Sequence, residues 1–193
     1  DIGRVNDRYF VNTVAAGVMP EAVGSVSIEQ KTRLGPMAYF LTGLKALQSR
    51  RTSLFKIESD EGTEVRRSPL IVAMLTSSVG SFNNIAPKAK VDDGTIWLAV
   101  FKEFNYLDVL KVIPEVLAGL PINSEYMTLT QIKKARISIV DDEKLSTNMD
   151  GDKGPDFPLE LEVCPSFLRV YVPRKAIQTG FNPIVVPKEL FHG

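Results

Sequence analysis

Ile96-Trp97-Leu98-Ala99-Val100-Phe101 is the stretch on which the fold turns, an unbroken apolar run rich in β-branched and aromatic residues. A strand with one wet face alternates, so a short continuous run reads as a strand covered on both faces. Pro69-Leu70-Ile71-Val72-Ala73-Met74-Leu75 has the same character, and the two runs predict the centre of a sheet. Outward from them the period becomes two. Leu159-Glu160-Leu161-Glu162-Val163 alternates strictly, which marks one buried and one solvated face. Leu54 to Glu58, a turn at Asp60-Glu61-Gly62 and a return through Thr63 to Arg67 predict a solvent-facing hairpin. Asp1 to Val5, the polar pair Asn6-Asp7 and Tyr9-Phe10-Val11-Asn12 predict another hairpin, already under way where the chain starts, as in a piece of a longer protein. Ala135 to Val140, Lys144 to Met149 and Phe167 to Val172 read as further strands.

Helical spacing occurs twice. Between Lys31 and Ser49, Leu34, Met37, Leu41, Leu44 and Leu47 share a face, with Pro36 tolerated in the first turn. Between Asn105 and Leu120 the pattern is interrupted by Pro114, which predicts a kinked helix ending at Gly119-Leu120-Pro121. The sum is a mainly β, α+β fold: a β-sandwich of about nine or more strands with two helical excursions, forming one domain over residues 1–193.

Composition narrows the function classes. The 193 residues carry 23 basic and 23 acidic side chains, so no global field favours nucleic acid, and none is expected as a partner. Cys164 is the only cysteine, which excludes an internal disulfide and a cysteine-rich zinc site. The single histidine, His192, stands at the chain's end and leaves histidine catalysis within the fold without a candidate. No run reaches the roughly 20 apolar residues of a membrane helix. These features predict a soluble, cytoplasmic protein.

Two acidic turns carry the chemistry. Met149-Asp150-Gly151-Asp152 sets two carboxylates around a tight turn, and Asp92-Asp93-Gly94 precedes the most hydrophobic strand. An Asp-Gly pair is first of all a hairpin tip, because glycine accepts positive φ. A carboxylate held there could also take a proton from a hydroxyl that attacks a phosphoryl group. The Asp93 carboxylate, with backbone carbonyls near Lys90 and Thr95, offers oxygen ligands of the kind hard cations prefer. No Walker-type or Rossmann glycine loop accompanies either turn.

Tyr9 to Asn12 with Ala16-Gly17, Leu34 to Tyr39, Ala86 to Gly94, and Met149 to Asp152 followed by Pro158 to Val172 occur in an order that resembles the soluble bacterial diacylglycerol kinases and related lipid kinases. Their superfamily also holds sphingosine kinases and NAD kinases. The resemblance implies the C-terminal β-sandwich of a two-domain enzyme, whose Gly-Gly-Asp-Gly-Thr nucleotide motif belongs to an N-terminal domain and does not occur here. ATP and the catalytic Mg2+ would then depend on that other domain, and this chain alone is expected to be inactive. Family members carry Asp-Gly-Glu at the late acidic turn, with the glutamate as general base for a lipid hydroxyl; the matching position is Asp152, preceded by Asp150. Aspartate retracts the carboxylate by about 1.5 Å, one covalent bond. A structural Mg2+ is implied at the Asp93 side chain with main-chain oxygens of Lys90 and Thr95. The expected function is phosphorylation of a lipid hydroxyl, diacylglycerol first, at the periphery of the membrane. The rival readings are an NAD kinase-like domain and a non-catalytic ligand-binding sandwich, the latter able to form a homodimer through an exposed strand edge.

Overall fold

In the computed structural model of the protein, residues 1–17, 52–79, 84–103, 108, 120–141, 144–169 and 171 are described. They form twelve strands: β1 (Ile2–Val5), β2 (Arg8–Phe10), β3 (Thr13–Gly17), β4 (Ser53–Ser59), β5 (Gly62–Ser68), β6 (Leu70–Met74), β7 (Ile96–Phe101), β8 (Met127–Ile132), β9 (Lys134–Ile139), β10 (Thr147–Met149), β11 (Asp152–Lys153) and β12 (Leu159–Cys164). Two six-stranded antiparallel sheets result, in the orders β2-β1-β12-β9-β4-β5 and β11-β10-β3-β6-β7-β8. Both predicted helices, 31–49 and 105–120, fall almost wholly outside the described residues.

The apolar runs lie where their continuity requires. β6 and β7 are neighbours inside the second sheet, and every residue of both is buried. Ile71, Ala73, Ile96, Leu98 and Val100 face the first sheet and pack with its Val5, Phe10, Phe55, Ile57, Ile137 and Leu161. Leu70, Val72, Met74, Trp97, Ala99 and Phe101, with Met127 of β8, face the other way and pack with Ile85 and Ala86. Among the described residues two cores therefore share one pair of strands, one made between sheets and one made where loop residues pack on the other face of the second sheet.

The strand boundaries differ from the sequence reading in instructive ways. Only β5 of the predicted solvent-facing hairpin is exposed, because β4 is flanked by β9 and buries Phe55 and Ile57. The strand expected over 167–172 does not form at residues 167–169 or 171. Pro165 follows β12 and Ser166 takes a φ of 55°, which turns the chain out of the sheet. Phe167 then lies against Tyr9, ring centroids 5.4 Å apart, with both rings largely exposed. β3 and β8 were not anticipated: Ala15-Ala16 offers small residues of weak strand preference, and Thr128, Thr130 and Gln131 dilute the apolar signal of β8.

Polar contacts also join elements across the fold. Ser68, at the point where the chain leaves one sheet for the other, holds its buried hydroxyl oxygen 2.7 Å from both Leu70 O and Phe101 O, either of which can accept its single hydrogen. Asp60, at the tip of the β4–β5 hairpin, accepts from Lys133 N at 3.0 Å and Lys134 N at 3.2 Å. Desolvation pushes the Asp60 carboxyl up, but the Lys134 and Lys133 amides outweigh it and hold it below its ordinary value.

At the far edge of the first sheet Gly3 stands opposite Phe10, and a Cβ on Gly3 would come within 2.1 Å of that ring. The ring thus occupies the space a side chain would take and is itself fully buried. Phe10→Ala is expected to lower unfolding free energy by about 3–5 kcal/mol in chemical denaturation, because it empties a site that strand backbone on one side keeps from collapsing.

Candidate functional site at one end of the second sheet

Register places four strand ends, belonging to three chain connections, at the same end of the second sheet. Thr13 pairs with Met74, Met74 with Trp97, and Val14 with Met149, so the start of β3, the end of β6, the start of β7 and the end of β10 are level. Since both faces of β6 and β7 are apolar, polar side chains gather at this end, where the backbone leaves the sheet.

The β10–β11 turn is built for its position. Asp150 and Gly151 have φ of 51° and 99°, a pair of positive values that matches a two-residue type I′ hairpin, and Asn148 Oδ1 accepts from Gly151 N at 3.0 Å. The Asp150 carboxylate reaches away from the turn. Its Oδ2 accepts from Val11 N at 2.7 Å, and its Oδ1 from Asn12 N at 2.9 Å and Thr13 N at 2.8 Å. Asp150 N donates in turn to Thr13 O at 2.9 Å. One carboxylate therefore closes the corner between β2 and β3. From that corner the network continues: Thr76 Oγ1 donates to Asn12 Oδ1 at 2.8 Å, and Leu75 N donates to Asn12 O at 3.0 Å.

Asp152 begins β11, opposite Met149, and is exposed. Paired residues share a sheet face, so its side chain lies on the side of the inter-sheet core, at the open edge beyond Met149. Arg8 Nη1 donates to the neighbouring Lys153 O at 2.8 Å and ties this edge to β2.

Asp93 organises a second loop. Its Oδ2 accepts from Lys90 N at 3.0 Å and Trp97 Nε1 at 3.1 Å; its Oδ1 accepts from Thr95 N at 3.0 Å and Thr95 Oγ1 at 2.8 Å. Partial burial pushes the Asp93 carboxyl up, but the donors from Lys90, the Thr95 hydroxyl, the Trp97 indole and the Thr95 amide together hold it below its ordinary value. A carboxylate has about four lone-pair positions, and all are taken here by the protein's own donors. A directly bound Mg2+ does not fit this arrangement without displacing one of them. Among the described residues no three acidic, histidine or cysteine side chains converge as a metal cluster.

The two acidic sites remain separate. Three strand spacings, about 15 Å, separate β7 from β10 in the second sheet, and β11 lies one strand farther. A cleft of about 360 Å3 lies beside the Asp93 loop, lined by Gly94, Lys133, Lys134, Glu162 and Pro165 as well as Asp93; Asp152 does not line it. Thr76 and Trp97 were not singled out as site residues from sequence. A polar run leaving a buried strand was the available signal for Thr76, and no local spacing marked Trp97.

Asp150→Ala strips an acceptor from three amides and is expected to cost about 2 kcal/mol of stability. Asp150→Asn, which tolerates the positive φ and keeps one acceptor, should cost about half that by thermal or denaturant unfolding. Because the Asp93 carboxyl is lowered in the folded state, its contribution is present above its unfolded value near pH 4 and is lost as pH falls through the folded value. The stability gap between the natural protein and Asp93→Asn should therefore narrow below about pH 4. Millimolar Mg2+ or a chelator should leave the unfolding midpoint unmoved.

Comparison with known proteins assigns this architecture. The family described as the YegS C-terminal NAD kinase beta sandwich-like domain matches residues 12–172. The diacylglycerol kinase of Bacillus subtilis (strain 168) is 31% identical over 175 residues, 91% of this chain and 57% of the relative. The diacylglycerol kinase of Staphylococcus carnosus is 28% identical over 179 residues, 93% of this chain and 58% of the relative. The chain thus spans little more than half the length of these relatives. A crystal structure of a diacylglycerol kinase from Bacillus anthracis superposes with a TM-score of 0.63 at 20% identity, over 85% of this chain and 52% of that one, which supports the sandwich fold. The chain belongs to the YegS C-terminal NAD kinase β-sandwich-like family of the diacylglycerol and lipid kinases.

Proposed function

We propose that this chain is the lipid-binding part of an ATP-dependent kinase that phosphorylates the hydroxyl of diacylglycerol or a closely similar lipid. The observation that carries the reading is the 31% identity with a diacylglycerol kinase along 91% of the chain, which includes both acidic turns. ATP and its Mg2+ are assigned to the portion of the full-length protein that corresponds to the relatives' remaining length, so the sandwich contributes the acceptor side of the reaction.

In this reading Asp152 is the general base. The lipid hydroxyl oxygen forms a bond to the γ-phosphorus, the bond from that phosphorus to the ADP oxygen breaks, and the hydroxyl proton passes to the Asp152 carboxylate. Asp150 is a positioning residue, since its three backbone contacts fix the turn that carries Asp152. Asp93 acts on structure, through the loop ahead of β7. The apolar Tyr9, Val11 and Phe167, all more than half exposed, lie on or beside the segment that Asp150 clamps and supply a surface for acyl chains at a peripheral membrane contact. No helix among the described residues is long and apolar enough to cross a membrane.

The test is a radiolabelled-ATP assay of the full-length protein with diacylglycerol and, separately, NAD. Diacylglycerol should be the better acceptor, and Asp152→Ala should lower kcat by about 100-fold or more. Asp152→Glu, which restores the residue of the family's turn, should retain turnover. Normal turnover in Asp152→Ala would refute the base assignment, and preferential phosphorylation of NAD would refute the lipid assignment.

A further inference from the structure

β2 ends the first sheet and β11 ends the second, and the two edges meet along one side of the sandwich. One charged side chain enters that side from each wall. Arg8 pairs with Val5, a residue of the inter-sheet core, and therefore shares its face. Asp152 pairs with the core residue Met149 and shares that face in the same way. Both are exposed.

The opposite wall sets the position of Arg8. Met149 and Asp152 close a two-residue turn, and Gly154 N donates to Thr147 O at 2.9 Å, so the intervening Lys153 turns its carbonyl away from β10 and out of the sheet edge. Arg8 Nη1 donates to that carbonyl at 2.8 Å. A guanidinium carries five N–H groups in a rigid fork, and this contact uses one of them. Among the described residues neither Arg8 nor Asp152 belongs to an ion pair. The cation is thus anchored to the residue next to Asp152 while the carboxylate stays free to accept a proton. The Lys153 side chain does not compete for this role, because alternation sends it to the opposite face of β11.

We propose that Arg8 binds the phosphoryl group as it arrives on the lipid hydroxyl and then holds the phosphate monoester of the lipid product. The inference rests on Asp152 as the general base. The hydroxyl oxygen at Asp152 is the atom that bonds to the γ-phosphorus, so the phosphoryl oxygens come to lie beside the residue that anchors Arg8. As the bond to the ADP oxygen breaks and the hydroxyl proton passes to Asp152, negative charge is spread over those oxygens. The remaining N–H groups of Arg8 match two of them at once, a geometry that a lysine ammonium lacks.

Calorimetric titration of the full-length protein with a short-chain phosphorylated diacylglycerol reads this contact without turnover. Arg8→Gln removes the charge and should weaken binding at least about tenfold, whereas Arg8→Lys keeps the charge without the fork and should weaken it about threefold. Asp152→Ala should bind the phosphorylated lipid at least as tightly as the natural protein does. In the kinase assay Arg8→Gln should lower kcat about 30-fold or more and leave the KM for ATP within about twofold, which separates a lipid phosphate from the nucleotide's own. Undiminished binding of the phosphorylated lipid by Arg8→Gln would overturn the proposal, and a raised KM for ATP beside it would assign Arg8 to the nucleotide. Normal turnover in Asp152→Ala together with weakened binding in Arg8→Gln would overturn the base assignment alone. If Arg8→Gln unfolds by circular dichroism, Arg8→Lys decides: binding equal to that of the natural protein refutes the guanidinium contact.

Discussion

The burial of β6 and β7 on both faces is the constraint from which the remaining architecture follows. With apolar residues required on either side, these strands have no room for a polar group along their length, and the second sheet needs two covers. One cover is the first sheet. Among the described residues the other is loop, with Ile85 and Ala86 packed in one cluster with Trp97 and Phe101. Polar chemistry is displaced to the strand ends, and the shared level of β3, β6, β7 and β10 concentrates it along one rim.

On that rim two aspartates solve a similar problem with similar means. Chain leaving a sheet exposes amides that no ladder satisfies, and a carboxylate can accept several at once. Asp150 gathers three amides from a segment more than a hundred residues earlier in the chain, whereas Asp93 gathers its donors from within its own loop and the first turn of β7. The first contact fixes how two distant pieces meet; the second fixes the shape of one piece. This division leaves Asp152, which makes no such contact in its turn, as the carboxylate available for chemistry in the proposed kinase.

The parts of this arrangement legible from sequence are those decided locally. Continuous runs located β6 and β7, strict alternation located β12, and the Asp-Gly pair located the β10–β11 turn, because burial on two faces, burial on one face and positive φ each leave a mark within a few residues. The partners of Asp150 left no such mark, since Val11, Asn12 and Thr13 are ordinary residues whose amides matter only after β3 and β10 pair. The Asp93 loop was visible as an acidic turn, but the saturation of its carboxylate depends on the indole of Trp97 pointing back along the chain, a rotamer that no spacing encodes. β3 escaped notice because Ala15 and Ala16 favour no strand by themselves; they are strand only through their neighbours β6 and β10.

Trp97 is the sole tryptophan of the chain, its ring is nearly inaccessible to water, and its indole hydrogen is committed to Asp93. All of the intrinsic indole emission of this chain therefore originates at the junction between the acidic loop and the central strand. The protein carries a built-in optical gauge of that junction, one that reports whether the acidic loop is seated on the central strand.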